Sequence, residues 1–476
     1  MLKEHIAFQI YAKFAFAPTF GQKKIVESLA EWILSDDYES VFVLNGYAGT
    51  GKTTLTAAFV AVLEELKIKP ILLAPTGRAA KVLGNHAGRQ AHTIHKRIYR
   101  ERSSSSIDSK FDLAQNREKG ACFIIDEASM ISDYSPEGTI FGSGSLLDDL
   151  FEYVRSGQHC RVMFVGDSAQ LPPVGSELSP ALDPVKLSVY GHVCYNTLDE
   201  VVRQEYESGI LFNATMVRCM LENRIYEIPM FDMSHPDFTT VDGGELLEKI
   251  EECHSRYGHD ETIVITRSNK RANRFNQGIR NRVLYDEDEL TSGDMLMVVK
   301  NNYHFTERDE GAKADFIANG DTAVLKRLRR QEEIYGFRFA EATLVFPDYD
   351  DYELDCKIIL DTLYSESPSL TAEQSRALFA AVEQDYMDVK SKAKRYRAVR
   401  EDPYYNALQI KFAYAVTCHK AQGGEWKAVF IDRLLFGEEP MTKDFLRWLY
   451  TAITRASEQL YLVNFDERFI DSTTVK

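Results

Sequence analysis

The chain has 476 residues, too long for one ordinary domain and long enough for several cores. Hydrophobic residues make up 44% and charged residues 27%, which excludes a disordered or fibrous chain. Lys and Arg number 56 against 72 Asp and Glu, so a net charge of −16 excludes a uniformly basic DNA-coating protein but not a local basic track on an acidic body. Seven cysteines, with no CxxC pair, fit a reducing compartment rather than a disulfide framework or a zinc site. The opening MLKEHIAFQIYAKF has no long apolar core, and no stretch approaches the roughly 18–20 apolar residues of a membrane span. The expectation is a soluble, cytoplasmic protein with no membrane partner.

A strand at 41–45 (VFVLN) leads through a Gly-rich turn into a helix at 53–66. Further strands are predicted at 71–74 (ILLA), 122–126 (CFIID) and 161–165 (RVMFV). A second series follows at 262–266 (TIVIT), 412–417 (FAYAVT), 428–432 (AVFID) and 460–464 (LYLVN). Continuous apolar strands between helical patterns predict an α/β fold with two parallel-sheet units. Two segments break the rhythm. Residues 84–120, basic and then Ser-rich, predict a short hairpin or loop inserted in the first unit. Residues 303–402 predict a small β-rich module plus a helix inserted in the second. There, FIANGDTAVL at 316–325 carries the Asn-Gly signal of a hairpin. Residues 371–400 read as one charged helix, with Thr371 as N-cap and Pro403 beyond its end. The expected division is 1–190 for the first unit, 191–302 with 403–476 for the second, and 303–402 for the insert.

The segment Gly46-Tyr-Ala-Gly-Thr-Gly-Lys52-Thr53 fits GxxxxGK[ST], after a strand and at the opening of a helix. Its glycines let backbone N–H groups curl around phosphate oxygens, and the helix N-terminus adds partial positive charge. Lys52 offers an ammonium to the β- and γ-phosphates of ATP, and Thr53 a hydroxyl to Mg²⁺. Gly46, Gly49, Thr50, Gly51 and Thr54 complete the candidate nucleotide contacts there. Downstream, Asp126 and Glu127 end an apolar strand: Asp126 suits the metal and Glu127 suits activation of water. Gly166–Gly175 (GDSAQLPPVG) leaves the next strand at the same sheet edge, which puts Gln170 near the γ-phosphate; a plain turn before Pro-Pro is the alternative.

Two runs without acids stand out in this acidic chain. Residues 77–100 hold Arg78, Lys81, Arg89, Lys96, Arg97 and Arg100; residues 266–282 hold Arg267, Lys270, Arg271, Arg274, Arg280 and Arg282. One lies in each unit, as phosphate contacts on both sides of a moving cleft require. A solvated helix face is the alternative for half of the second run.

Together these segments resemble the superfamily 1 helicases, and further motifs narrow the resemblance to the superfamily 1B, RecD-like branch. Phe16-Ala-Pro-Thr-Phe-Gly-Gln22 is similar to the motif whose Gln reads adenine. Ala74–Ala80 (APTGRAA) and Thr93-Ile-His-Lys96 are similar to motifs Ia and Ib, and Gly166–Gly175 to motif III. Leu198–Gln204 resembles motif IV, Thr266–Lys270 the segment after it, Val416–Gly423 motif V, and Tyr450–Ala456 motif VI. The resemblance implies two RecA-like parallel-sheet domains of a P-loop NTPase, a hairpin insertion in the first and an SH3-like insertion in the second. It implies Arg203 and Arg455 as guanidinium groups reaching ATP from the second domain, and Gly423 and Glu425 as further nucleotide contacts. It implies strand contacts from Pro75, Thr76, Arg78, Thr93 and His95 in the first domain. In the second it implies Thr266, Arg267, Asn269, Thr417, His419 and Lys420. The implied activity is an ATP-dependent DNA helicase or translocase, moving 5′-to-3′ on single-stranded DNA and opening tailed duplex DNA in repair or recombination. The alternatives are a translocating subunit of a multi-chain repair or nuclease complex and a DNA-stimulated ATPase switch without unwinding. A monomer is expected, with other DNA-processing subunits as further partners. The chain departs from the pattern at Ala421, where relatives carry a serine, and in the Ser-rich insertion, which shows no aromatic wedge.

Overall fold

The computed structural model describes residues 2–14, 16–101, 111–133, 142–202, 208–302, 304–307, 317–433, 441–471 and 473. In the first half the strands are β1 (Val41–Gly46), β2 (Pro70–Ala74), β3 (Ala91–Thr93), β4 (Tyr99–Glu101), β5 (Phe111–Leu113), β6 (Cys122–Ile125), β7 (Arg161–Gly166) and β8 (Val193–Leu198). One sheet runs β3-β2-β6-β7-β1-β8, with every neighbouring pair parallel. Val43 of β1 stands between Phe164 of β7 and Tyr195 of β8, so β1 is interior and its following turn opens on the carboxyl edge. β1, β6 and β7 are buried along their whole length, which is why they carry no alternation in sequence.

The second half holds β9 (Phe238–Val241), β10 (Thr262–Thr266), β11 (Met295–Val298), β12 (Thr322–Ile334), β13 (Phe337–Phe346), β14 (Tyr352–Ile359), β15 (Leu408–Phe412), β16 (Ala415–Thr417), β17 (Trp426–Asp432) and β18 (Ala456–Val463). A second parallel sheet runs β16-β10-β17-β18-β9, and β11 to β15 close into a barrel.

The element boundaries correct the expected division at several points. β8 pairs with β1, so the first sheet extends past residue 190. β11 and β15 belong to the barrel, which therefore starts before 303 and ends after 402. The run at 412–417 is two elements: Phe412 ends a barrel strand, and Ala415 starts a strand of the second sheet beside Val264. In 84–120, Ala91 pairs with Leu72 and the helix Ile94–Ile98 follows, so most of that segment belongs to the first unit. Only the β4–β5 ribbon has the expected hairpin pairing, and its tip at 102–110 lies outside the described residues.

The long helix at 371–400 is two helices, Ala372–Gln384 and Lys392–Arg400. Thr371 does cap the first, in a reciprocal box with Gln374, while Ser391 accepts from Lys394 N–H and starts the second. Asn319-Gly320 does turn, but its flanks pair with different partners: Ile317 bridges Asn302, while β12 pairs with β11 and β13. The long hairpin is β12–β13, turned by Tyr335 (φ 57°) and Gly336 (φ 76°), both left-handed as a two-residue turn with native twist requires.

A buried ion pair helps to seat the barrel on the second sheet's flank, beside amide bonds from Asn273 and Asn276 to the barrel side. Arg280, on the helix Asn269–Arg282, donates Nε to Asp294 Oδ1 at 2.7 Å and Nη2 to Oδ2 at 2.9 Å. Asp294 also accepts from Thr291 N–H and the Tyr414 hydroxyl. Removing one partner strands the other charge. Arg280→Ala is expected to lower unfolding free energy by about 3–5 kcal/mol in urea titrations; a loss below about 1 kcal/mol contradicts this seating role.

Candidate nucleotide cleft and strand-binding surfaces

The turn after β1 feeds the helix Lys52–Glu65, whose N-cap, Gly51, sits at φ 80°. A Cβ at residue 51 would also lie 2.6 Å from Gln22 Nε2, so glycine is needed for both conformation and clearance. Gln22 braces this turn from behind. Its amide nitrogen donates to Thr50 O at 3.0 Å, and its amide oxygen accepts from Thr19 N–H at 3.0 Å. Lys52 Nζ donates to Tyr47 O at 2.8 Å and lies 4.0 Å from the buried Asp167 carboxylate. Thr53 follows in the first turn of that helix, and Thr54 after it.

Asp126 and Glu127 leave β6 at the same edge. Burial, reinforced by the neighbouring Glu127 carboxylate, pushes Asp126 up to about 6. Glu127 is in the left-handed region (φ 50°), and its Oε1 stands 3.8 Å from Arg455 Nη1 of the second half. Arg455 is otherwise tied to Thr451 O, Gly424 O and the Thr454 hydroxyl. Gln170 is buried, and its Oε1 has no hydrogen-bond partner. Arg203 lies outside the described residues.

Residues not singled out as candidates hold the cleft together. The Tyr450 hydroxyl donates to Asp167 Oδ2 at 2.7 Å and accepts from Ala48 N–H at 2.9 Å. Both residues sit inside quoted motifs, but nothing in their spacing shows that they meet. Arg218, on the helix Gly209–Glu222, lies over the Tyr47 ring at 4.5 Å, and its buried Nε lacks a partner. Burial, with a hydrogen bond to Glu222, pushes Tyr47 up to about 12. Leu171 N–H donates to Thr451 Oγ1 at 2.8 Å, and Leu171 O accepts from Gln422 Nε2 at 2.7 Å, so the turn after β7 is stitched to the second half at both groups. Gly423 packs against Thr76 and Ala79.

The expected strand contacts divide. Arg78 is not on open surface: Nη2 donates to Glu425 O at 2.8 Å, and its guanidinium lies 4.0 Å from the Trp426 ring centre, so it joins the two halves. Thr266 is wholly buried with its hydroxyl turned to Ser268 O and Val416 O, out of reach of a strand. His95 is pushed down to about 4 by burial and is neutral at pH 7. Thr76 and Thr93 cap the helices Gly77–Ala87 and Ile94–Ile98, with Pro75 half-buried before the first. Thr417 ends β16, and His419 and Lys420 follow it; His419 is exposed, and burial, then the neighbouring Lys411, brings Lys420 down to about 8. Asn269 opens the helix Asn269–Arg282.

Much of each basic run is paired. Arg89 pairs with Glu64, Arg97 with Glu118, Arg271 with Asp432 and Arg280 with Asp294. Arg267, Arg274 and Arg282 are exposed. A cavity of about 490 Å³ lies between the first run and the barrel, lined by Lys81, Arg89, His92 and Lys96 and by Asp348 and Tyr349.

A P-loop at the carboxyl edge of one parallel sheet, faced by an arginine from a second, defines a P-loop NTPase with two RecA-like units. Residues 21–214 match the AAA domain family and residues 412–463 the UvrD-like helicase C-terminal domain. Both matches fall in the two parallel-sheet units, and the chain is similar to the superfamily 1B P-loop helicases of the RecD-like branch. The ATP-dependent RecD2 DNA helicase of Deinococcus radiodurans is 34% identical over 166 residues, which span 33% of this chain and 20% of that relative. An uncharacterized protein of Acanthamoeba polyphaga mimivirus is 22% identical over 520 residues, 92% of this chain and 98% of that one. A Pif1 helicase from Bacteroides in complex with ADP-AlF3 and single-stranded DNA is similar at TM-score 0.47 and 15% identity, covering 96% of this chain and 95% of that chain. Among the described residues, no helix is long and apolar enough to cross a membrane.

Two outcomes follow from these contacts. Tyr450→Phe leaves Asp167 and Ala48 N–H short of a buried partner, so a loss of about 1–3 kcal/mol is expected in chemical denaturation; an unchanged midpoint contradicts it. The second concerns the barrel's contact with the first unit. Tyr349 OH donates to Asp321 Oδ2 at 2.7 Å, and a Cβ at Gly77 would lie 2.9 Å from that hydroxyl. Burial pushes Asp321 up to about 7 from 3.8. The fold therefore favours the protonated acid, a stabilisation whole below 3.8 and lost as pH rises through about 7. Asp321→Asn should flatten the dependence of Tm on pH across that window and melt higher than wild type above it.

Proposed function

We propose that the chain is an ATP-dependent DNA helicase that moves 5′-to-3′ on single-stranded DNA and couples hydrolysis to opening of a tailed duplex. The observation that carries this reading is Arg455, just before β18 of the second half, 3.8 Å from Glu127, just after β6 of the first, across a cleft floored by Lys52. The residues present fit a nucleoside triphosphate with Mg²⁺. The left-handed Gly49 and Gly51 let the turn curl around phosphate oxygens, and Gln170 Oε1 is a buried acceptor in want of a donor. Thr53 and Asp126 would hold Mg²⁺, which when bound neutralises β- and γ-phosphate oxygens.

Lys52, released from Tyr47 O, meets the β- and γ-phosphates, alongside the N–H groups of Gly49, Thr50 and Thr54. Glu127 accepts the proton of the attacking water, which Gln170 orients. Arg455, and Arg203 by resemblance, present planar donors to charge developing on the γ-phosphoryl oxygens. Gln22, which braces the P-loop through Thr50 O, keeps a second amide N–H and a second lone pair for adenine. Gly423 and Glu425 close the cleft from the second unit, Glu425 through its carbonyl on Arg78. The strand runs over the Thr76–Thr93 face of the first unit, beneath the barrel, and over Asn269, Thr417, His419 and Lys420 of the second. ATP-driven closure changes each unit's grip, and hydrolysis releases it.

Glu127→Gln is expected to bind nucleotide and lose hydrolysis, and Lys52→Ala to lose turnover. Arg455→Ala should turn over roughly 10³-fold more slowly, with a smaller effect on nucleotide affinity. Single-stranded DNA should stimulate the wild-type ATPase, and unwinding should need a 5′ tail. Wild-type turnover by Glu127→Gln refutes the base assignment. Unwinding from a 3′ tail alone refutes the direction, and DNA-stimulated turnover without unwinding of any tailed duplex reduces the reading to a translocase or switch.

A further inference from the structure

The P-loop is held from the second half at a residue that itself holds the P-loop lysine. Tyr47 and Ala48 pack against the hydrophobic core of the second half, to which the helix Gly209–Glu222 contributes Ile210, Ala214 and Val217. The same helix carries Arg218, whose guanidinium carbon lies 4.5 Å from the centre of the Tyr47 ring. Glu222, one turn further on, and Ser168, in the turn after β7, stand at the Tyr47 hydroxyl. Arg218 is only 7% exposed; its Nη1 donates to Asp199 O at 3.0 Å, and its buried Nε has no partner. A cation so desolvated gains more from a π-system within reach than it would in water.

The peptide between Tyr47 and Ala48 is pinned at both ends. Its N–H is held by the Tyr450 hydroxyl at 2.9 Å. Its carbonyl accepts from Lys52 Nζ at 2.8 Å and from the Thr50 hydroxyl at 2.7 Å. A peptide group is planar, so its N–H and carbonyl turn together. With the ring held by Arg218 and the N–H by Tyr450, both from the second half, the carbonyl stays directed at Lys52.

We propose that Arg218 is a positioning residue for ATP turnover that acts through Tyr47: by holding the ring it keeps the Tyr47 carbonyl on Lys52, so the second half governs when the P-loop lysine is free for phosphate. Nucleotide must take Lys52 from that carbonyl, and part of its binding free energy is spent there. A second half that has moved away with Arg218 leaves the peptide free to turn and releases the lysine at less cost. The clasp thus opposes nucleotide in the arrangement seen here and yields to it when the two halves shift.

The proposal rests on the ATP site proposed above, and its test separates the two. The affinity of a non-hydrolysable ATP analogue with Mg²⁺ is measured by calorimetry, and KM and kcat from ATP turnover. The full chain is used as wild type, Arg218→Met, Arg218→Lys, Tyr47→Leu and the double variant Arg218→Met with Tyr47→Leu, each checked for a cooperative melting curve. Arg218→Met should bind the analogue roughly 2- to 10-fold more tightly, about the worth of one hydrogen bond no longer enforced. KM should fall with it, and kcat should not rise. Tyr47→Leu should do the same, and the double variant should match either single one, because the arginine acts through the ring. Arg218→Lys, which keeps a cation for the ring, should return toward wild type. Where Arg218→Met fails to fold, Tyr47→Leu carries the test alone. Weaker or unchanged binding in Arg218→Met overturns the clasp, the first making the arginine a phosphate contact and the second a packing residue only. Additive effects in the double variant overturn it as well. If wild type binds no nucleotide, the clasp and the ATP site fail together.

Discussion

The Tyr450 hydroxyl donates to Asp167 and accepts from the Ala48 N–H, and the arrangement of the cleft depends on that oxygen. Both partners are P-loop-side groups, and neither can be left unpaired in the interior without a cost of about 1–3 kcal/mol. The phenol therefore fixes the second sheet against the first at the point where phosphate would arrive. Lys52 is part of the same knot, 4.0 Å from Asp167 and bonded to Tyr47 O. Any shift of the Ala48 N–H toward a phosphate oxygen takes a donor from Tyr450. Any shift of Lys52 takes positive charge from Asp167. Filling the P-loop thus cannot be local: it unsettles the groups that hold the two halves together, which is the physical content of coupling nucleotide state to domain position.

Partner type separates the chain's buried cations into two groups. Arg271 and Arg280 face carboxylates, Asp432 and Asp294, and are neutralised within the fold. Lys411 and Lys420 instead rest on neutral oxygens, of Thr362, Ser365 and Asn319, and burial brings both ammonium groups down to about 8. Arg218 donates to the Asp199 carbonyl and to no carboxylate among the described residues. A buried cation supported only by carbonyls is costly until an anion approaches it. In a chain of net charge −16, such groups near the cleft and the proposed strand-binding face are where an approaching polyanion would recover a cost already present in the fold.

The sequence was most legible where the physics is local. The Gly46–Thr53 turn, the paired acids after β6 and the apolar β1, β6 and β7 each follow from backbone and burial rules acting within a few residues. Thr371 was legible as a cap for the same reason. What could not be read was anything set by a distant partner. Tyr450 and Asp167 are 283 residues apart, and no spacing links them. The barrel takes β11 and β15 from sequence beyond both ends of its insert because strand closure needs edges that the insert lacks. Tyr335 gave no turn signal because a tyrosine in the left-handed region is uncommon, and it is tolerated there beside Gly336 with its hydroxyl on Asp385.

Charge runs were the least transferable signal, and Arg78 and Arg267 show why. Both are arginines just past a strand of a parallel sheet, within runs free of acids, and both lie on an aromatic side chain. A count of cations treats them alike. What distinguishes them is the rest of each environment. Arg78 meets Trp426 from the opposite half and closes the cleft, so its charge is directed inward. Arg267 meets Phe445 and Trp448 of its own half, on an exposed position. The planar, delocalised guanidinium makes both uses possible, since it can stack and donate at once where an ammonium cannot. The function of a basic run is therefore decided less by its charge than by which groups each guanidinium meets in the fold.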